Sequence, residues 1–354
     1  MDILEATPEI LSETLKKGGF PRFRAQQVCE WIFTKRVVEL DKMSNLPAPL
    51  KAYLREQFTW QLPEVVHTLT SDDDGTTKLL LRSKDQRVFE TVIMRYPKRT
   101  TICVSSEIGC KLACSFCQTG KLGFFRHLSA HEILAQFHLA QSILGDRPIT
   151  HVVFMGMGEP FLNYDAVLRA TNRLISPEGY GLSSRRVTVS TSGIPERIID
   201  FSRDSTARLA ISLHAARDEV RTSLMPINRK YPLATLKNAL QVYQTATGQK
   251  LTIEYILIQN VNTSIADAKA LVQFLQGLKA KVNLIPFNAH PGLAYERAEE
   301  PEILAFQQYL STRSIPAPVR YSRGLTVSGG CGQLAAKTEA QLEETPARKN
   351  VVAS

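Results

Sequence analysis

No run of about 18 consecutive apolar residues occurs in this 354-residue chain, so no segment of it is suited to span a bilayer as a helix. The first residues, Met1-Asp2-Ile3-Leu4-Glu5, are acidic and lack the apolar core of a secretory signal. The expected location is the cytoplasm, where thiols are kept reduced. Compositional bias is also missing. With 44% hydrophobic and 22% charged residues, the chain reads as an ordinary soluble globular protein of one large or two smaller domains. Lys and Arg number 43 against 34 Asp and Glu, a formal charge of +9. Nearly all of that excess falls in residues 100–337, and a basic balance of this kind suits a polyanionic partner.

A fourth cysteine is the most telling shortage. Cys110, Cys114 and Cys117 stand in the string Gly-Cys-Lys-Leu-Ala-Cys-Ser-Phe-Cys. Three thiols in eight residues are too many for core packing. They are one short of a closed zinc site and one short of the usual four thiolates of a cubane iron–sulfur cluster. Three thiolates on such a cluster leave one iron open to a ligand that is not protein. Six cysteines in a reducing compartment point to metal or redox chemistry rather than a disulfide framework.

Residues 1–60 read as a small helical module that could track phosphates. Thr7-Pro8-Glu9 caps a first helix, Gly18-Gly19 ends it, a second helix runs from about Ala25 to Thr34, and a third reaches Phe58. Cys29 falls on an apolar helical face and reads as a small buried hydrophobe. Over 61–99 the period changes to two, as in an antiparallel β extension. Glu90 is an acid inside a β-branched run there, and on the pattern alone it could simply lie on the solvent face. From 100 to 337 short apolar strands alternate with helices. Strands are expected near 100–105, 150–155, 187–190, 208–213, 252–257 and 282–287. The fold class is α/β: a partial (βα)6 barrel preceded by the helical module and the antiparallel extension. The polar residues 338–354 read as a disordered tail.

Polar residues recur at the C-terminal ends of the barrel strands, the end that carries the active site in barrels. After the cysteine loop come Gly156-Met157-Gly158-Glu159-Pro160, Ser190-Thr191-Ser192-Gly193, Ser212-Leu213-His214 and Pro286-Phe287-Asn288. Taken singly, a Gly-x-Gly turn is only a turn, and a lone His214 is a satisfied core histidine. Together with an incomplete cluster they describe a pocket for an amino-acid-like nucleoside.

These motifs resemble the radical S-adenosylmethionine (SAM) superfamily. Cys103-Val104-Ser105-Ser106-x-x-Gly109-Cys110, the Gly158-Glu159-Pro160 turn, Ser212-Leu213-His214 and Cys331-Gly332-Gln333-Leu334 resemble more narrowly the RlmN/Cfr adenosine methyltransferases, over about residues 5–337. The resemblance implies that Cys110, Cys114 and Cys117 hold one [4Fe-4S] cluster. It implies SAM contacts at Gly158, Glu159, Ser190, Ser212, Leu213, His214 and Asn288. It gives Cys331 as the cysteine that carries the methyl group, Cys103 as its transient disulfide partner, and Glu90 as the proton acceptor. It implies two SAM per turnover, 23S rRNA and tRNA as substrates, 2-methyladenosine as product, an electron donor such as flavodoxin or ferredoxin, and a monomer.

One family feature is absent. An acidic residue followed by Ile-x-x-Ala usually precedes the methylated cysteine. Here Thr326-Val327 stand near its place and Gly330 replaces the alanine. The catalytic cysteines are all present, so the departure bears on target choice or on that loop. Three rival readings stay open: carbon-8 methylation by the antibiotic-resistance branch, a radical-SAM enzyme acting on a small molecule, and a zinc-containing RNA-binding protein using Cys103 as fourth ligand.

Overall fold

A computed structural model describes residues 1–289 and 292–335, so the tail expected at 338–354 lies outside the described residues. Its helices are α1 (Pro8–Lys17), α2 (Phe23–Cys29), α3 (Ala48–Gln57), α4 (Gln118–Lys121), α5 (Ala130–Leu144), α6 (Tyr164–Ile175), α7 (Pro195–Asp204), α8 (Asp218–Leu224), α9 (Leu233–Thr247), α10 (Ile265–Leu275) and α11 (Glu300–Ser311). The strands are β1 (Glu64–Thr70), β2 (Thr77–Arg82), β3 (Val88–Tyr96), β4 (Arg99–Cys103), β5 (Glu107–Gly109), β6 (Phe124–His127), β7 (His151–Phe154), β8 (Val187–Thr191), β9 (Arg208–Ser212), β10 (Leu251–Leu257) and β11 (Ala280–Pro286).

Nine strands form one sheet in the order β1-β2-β3-β4-β7-β8-β9-β10-β11. From β4 to β11 neighbouring strands are parallel, with helices in the connections. That is the partial barrel, open between β4 and β11. The antiparallel extension is continuous with it, because β3 pairs with β4 through Val92 and Cys103. Strand β10 is buried at every residue, which explains its near-continuous apolar run.

Local chemistry accounts for the helix starts. The Thr7 side chain accepts from the Ile10 N–H at 3.2 Å, with Pro8 in the first turn. Ser129 and Glu132 form a capping box at α5. The N-terminal helices share one apolar core with the barrel, through buried Ile3 and Leu4. Glu5 Oε1 accepts from the His131 N–H at 3.0 Å, which fixes that junction to the start of α5. Cys29 packs against the same core, and burial pushes its thiol up to about 11.

Glu90 does not lie on a solvent face. Glu90 is only 2% exposed, and Lys78 of β2 places its ammonium 2.9 Å from Oε1. A period-two pattern cannot tell inside from outside when both faces of a strand are covered, and β3 is buried from Phe89 to Ile93. The short elements β5, β6, α4 and α8 had no clear periodic signal, and all four surround the site.

Candidate functional site

The cysteine loop leaves the barrel after β4. Gly109 has φ +77°, and a Cβ there would sit 1.9 Å from the Gly123 carbonyl oxygen, so the β5–β6 pairing can close only on glycine. Cys110 N–H then donates to that same carbonyl at 2.8 Å. Further on, Ser115 N–H donates to Leu224 O at 2.9 Å, docking the loop on the end of α8. Burial pushes the Cys110 and Cys114 thiols up; a Leu112 backbone hydrogen bond opposes this at Cys110, while the Glu107 carboxylate adds to it there and the Cys117 charge adds to it at Cys114. Buried thiols that resist ionisation, as Cys110 and Cys114 do, are stabilised as thiolates by a cation. Among the described residues no three His, Cys, Asp or Glu are gathered tightly enough to hold a single metal ion. By the chemistry of its donors, a loop of three thiols with no fourth ligand in it suits an iron–sulfur cluster with one open iron better than a closed zinc site.

A pocket partly open to solvent lies beside this loop, lined by turns that follow the barrel strands. Cys117, Gly158, Glu159, Ser190, Ser212, His214 and Cys331 all line it. Gly158 has φ +99°, and a Cβ there would meet the Glu107 side chain at 2.5 Å. Glu159 is buried. Its carboxylate accepts from Thr191 Oγ1 at 2.6 Å, from Ser192 N–H at 2.8 Å and from Phe161 N–H at 3.0 Å. Burial still holds its carboxyl above the usual range, with those hydrogen bonds opposing. The Glu159 N–H in turn donates to Glu107 Oε2 at 2.8 Å. Burial raises the Glu107 carboxyl to about 7. Its Oε1 has no hydrogen bond, although His127 Nδ1 comes within 2.9 Å without the alignment of one.

Ser190 and Ser212 bring their hydroxyls within 3.3 Å of each other on adjacent strands. His214 is neutral, since burial lowers its pKa to about 3. Its Nδ1 accepts from the Ile256 N–H at 3.1 Å, which leaves the proton on Nε2. Leu213 is sealed from solvent and does not line the pocket; it acts through its backbone, its N–H on Glu254 O and its carbonyl under Arg221. Asn288 also lies behind the lining. Its Nδ2 donates to Ser322 Oγ at 2.7 Å and to Cys331 O at 3.3 Å, while its buried Oδ1 has no partner. An orphaned acceptor beside the pocket and a turn that only glycine can make both fit an amino-acid-like cofactor there.

Cys103 and Cys331 are free thiols. Cys103 is buried at the end of β4, and its thiol is pushed up by burial and then by the charge of Cys331. Cys331 is exposed, but the surface it exposes faces the pocket. Crowding there outweighs access to water and pushes its thiol up to about 11, with Glu254 and Cys117 adding to the effect. The loop is pinned on both sides: Gln118 N–H donates to Gly332 O at 2.8 Å and Thr119 Oγ1 to Leu334 O at 2.7 Å. Glu90 approaches from β3, its Oε2 accepting from Ala335 N–H at 2.9 Å. Next to it, Thr91 Oγ1 donates to Cys103 O at 2.7 Å.

Sequence reasoning missed Lys78, Glu107, Arg221 and Glu254. Glu254 lies in the run Thr-Ile-Glu-Tyr of a wholly buried strand, a local conflict that marks a functional position. Arg221 carries no comparable signal.

The chain is similar to known proteins along most of its length. Residues 106–272 match a model of the radical SAM superfamily, and residues 1–59 match the ribosomal RNA large subunit methyltransferase N-terminal domain. The dual-specificity RNA methyltransferase RlmN of Methylorubrum extorquens is 42% identical over 94% of this chain and 84% of its own length. The protein of the same name from Anaeromyxobacter is 43% identical over 89% and 85%. A crystal structure of a radical SAM methyltransferase from Sphaerobacter thermophilus superposes with a TM-score of 0.91 at 43% identity, covering 95% of this chain and 100% of that one.

Proposed function

The chain belongs to the RlmN family of radical SAM RNA methyltransferases, and from that premise we propose that it makes 2-methyladenosine in 23S rRNA and in tRNA. The observation that carries the reading is the meeting of Cys331 with Cys117, Glu159, Ser190, Ser212 and His214 around one pocket, with Cys103 close enough to Cys331 for their charges to interact.

Cys110, Cys114 and Cys117 would hold the [4Fe-4S] cluster. Gly158, Glu159, Ser190, Ser212, Leu213, His214 and Asn288 would hold SAM, with two molecules used per turnover. When bound, cluster and SAM supply the electron and the radical hydrogen abstraction that amino-acid side chains cannot provide. Carbon 2 of adenine is electrophilic and carries no acidic hydrogen, so a nucleophilic transfer has no purchase on it.

Cys331 then serves as the methyl carrier, and must be a thiolate to accept the group. Its carbon joins carbon 2 of adenine, linking enzyme and RNA. The Glu90 carboxylate takes the carbon-2 proton, and the unpaired electron left on the ring returns to the one-electron centre that supplied it. The Cys103 thiolate attacks the Cys331 sulfur, the sulfur–carbon bond pair passes to the adenine-bound carbon, which takes up a proton to become the methyl group, and a Cys103–Cys331 disulfide forms. Splitting one hard step into covalent stages lowers each barrier. The target base must be unstacked to enter such a pocket.

The helical module of residues 1–60 contributes phosphate contacts, with Arg24 stacked over exposed Phe23 and Lys35 over Trp31. The enzyme acts as a cytoplasmic monomer and draws its electron from a flavodoxin or ferredoxin.

Nucleoside mass spectrometry on both RNAs, after anaerobic incubation with SAM and a reductant, tests the reading. New 2-methyladenosine supports it. New 8-methyladenosine moves the chain to the antibiotic-resistance branch, and unmodified RNA overturns the substrate.

A further inference from the structure

Among the described residues, Arg221 is the largest side chain with no solvent exposure. It lies on α8, between the cysteine loop and the two turns that line the pocket. Its guanidinium donates from Nη2 to Ser192 O at 2.6 Å, from Nε to Leu213 O at 3.2 Å and from Nη1 to Asn228 Oδ1 at 2.8 Å. All three acceptors are neutral. No carboxylate forms an ion pair with it among the described residues. Asp218 is reached only through Asn228, whose Nδ2 donates to Asp218 Oδ1 at 2.8 Å. A buried cation without a partner is costly, and folded chains keep one only where something compensates it.

The geometry supplies the compensation. The α8 terminus is docked on the cysteine loop through Ser115, and Leu224 packs in a small apolar cluster with Phe116, against which Cys114 and Cys117 lie. Burial lowers the Arg221 pKa to about 10, and the Cys114 thiolate is the first group opposing that fall. Lys111, next to Cys110 in sequence, is at the surface over the Phe124 ring instead. The buried carboxylates Glu107 and Glu159 add negative charge on the Cys110 side.

We propose that Arg221 is a positioning residue of the metal centre, whose buried charge balances the anionic three-cysteine cluster and favours its reduced form. This rests on the reading that Cys110, Cys114 and Cys117 hold that cluster. Reduction adds one electron, delivered by a one-electron donor protein, and so one unit of negative charge beside a fixed cation. The fork of three hydrogen bonds also ties the Ser192 and Leu213 turns together, so the same side chain couples SAM binding to cluster charge.

The test is a spectroscopic redox titration of the full chain, reconstituted anaerobically without RNA, with iron and sulfide assayed in each sample. Arg221→Gln removes the charge, and its midpoint potential is expected to fall by at least about 59 mV, tenfold in a one-electron equilibrium. Arg221→Lys keeps the charge and breaks the fork. Its midpoint is expected to stay within that margin of wild type, while SAM binding by calorimetry weakens. A Gln variant with full iron and an unmoved midpoint overturns the proposal, as does a Lys variant whose midpoint falls tenfold. Should the Gln variant fail to hold iron, the Lys midpoint alone decides. A wild type that takes up no iron or sulfide overturns the cluster reading itself, and this inference with it.

Discussion

Lys78 Nζ and Glu90 Oε1 lie 2.9 Å apart, an ion pair between neighbouring strands with both side chains nearly sealed from water. Removing one partner leaves the other charge buried alone, a change that costs about 3–5 kcal/mol. Lys78→Met is expected to destabilise the apoprotein by that amount in denaturant unfolding. The double variant Lys78→Met with Glu90→Met, which leaves no charge behind, should recover most of it. Equal loss in the single and double variants would falsify the view that the pair is a closed electrostatic unit.

Gly158 is held at φ +99°, and a Cβ would meet Glu107 at 2.5 Å. Gly158→Ala must move the turn that carries Glu159, at a strain of roughly 1–3 kcal/mol. We expect weaker SAM binding by calorimetry together with a lower Tm. Unchanged SAM affinity would remove this turn from the binding site.

Burial raises the Glu254 carboxyl from its usual value to about 7, against the Asn283 hydrogen bond. An acid whose folded pKa lies above its unfolded one binds protons more tightly when folded. Its cost is absent below the unfolded value of 4.5, grows as pH rises and is complete above about 7. Glu254→Gln should therefore gain stability over wild type between pH 5 and 8, on the order of 3 kcal/mol at the top of that range. Equal stability of the two proteins from pH 5 to 8 would contradict this.

Much of the barrel was legible because its strands are short apolar runs set between amphipathic helices; the strand expected near 187–190 is Val187–Thr191 in the structure. Ser190, Ser212, His214 and Glu159 were legible as polar residues at strand ends, where nothing in the core would tolerate them unpaired. What stayed hidden depends on partners far away in sequence. Arg221 takes its meaning from carbonyls at 192 and 213, and Glu90 from Lys78. The short β5–β6 ladder is set by one glycine contact rather than by a periodic pattern. Leu213 shows the converse: the motif marks the residue, but its side chain is turned away from the pocket and only its backbone serves the site.

Cys331 faces the pocket with its thiol pushed up to about 11 by burial and by Glu254. In the apoprotein, alkylation of Cys331 followed by peptide mapping should be slow at neutral pH and rise about tenfold per pH unit toward that value. Glu254→Gln removes a like charge and should speed labelling at fixed pH. A profile that levels off near the ordinary thiol value of about 8.5 would mean that the cysteine is not shielded by the pocket.

In the proposed reaction Cys331 carries the methyl group to RNA and Cys103 releases it. The most direct measurement incubates the reconstituted Cys103→Ala variant with methyl-labelled SAM and RNA, then separates protein from nucleic acid under denaturing conditions. A covalent protein–RNA adduct is expected, with the label in the linking carbon at Cys331 and no free 2-methyladenosine. Wild-type amounts of methylated RNA from that variant, without an adduct, would contradict the account.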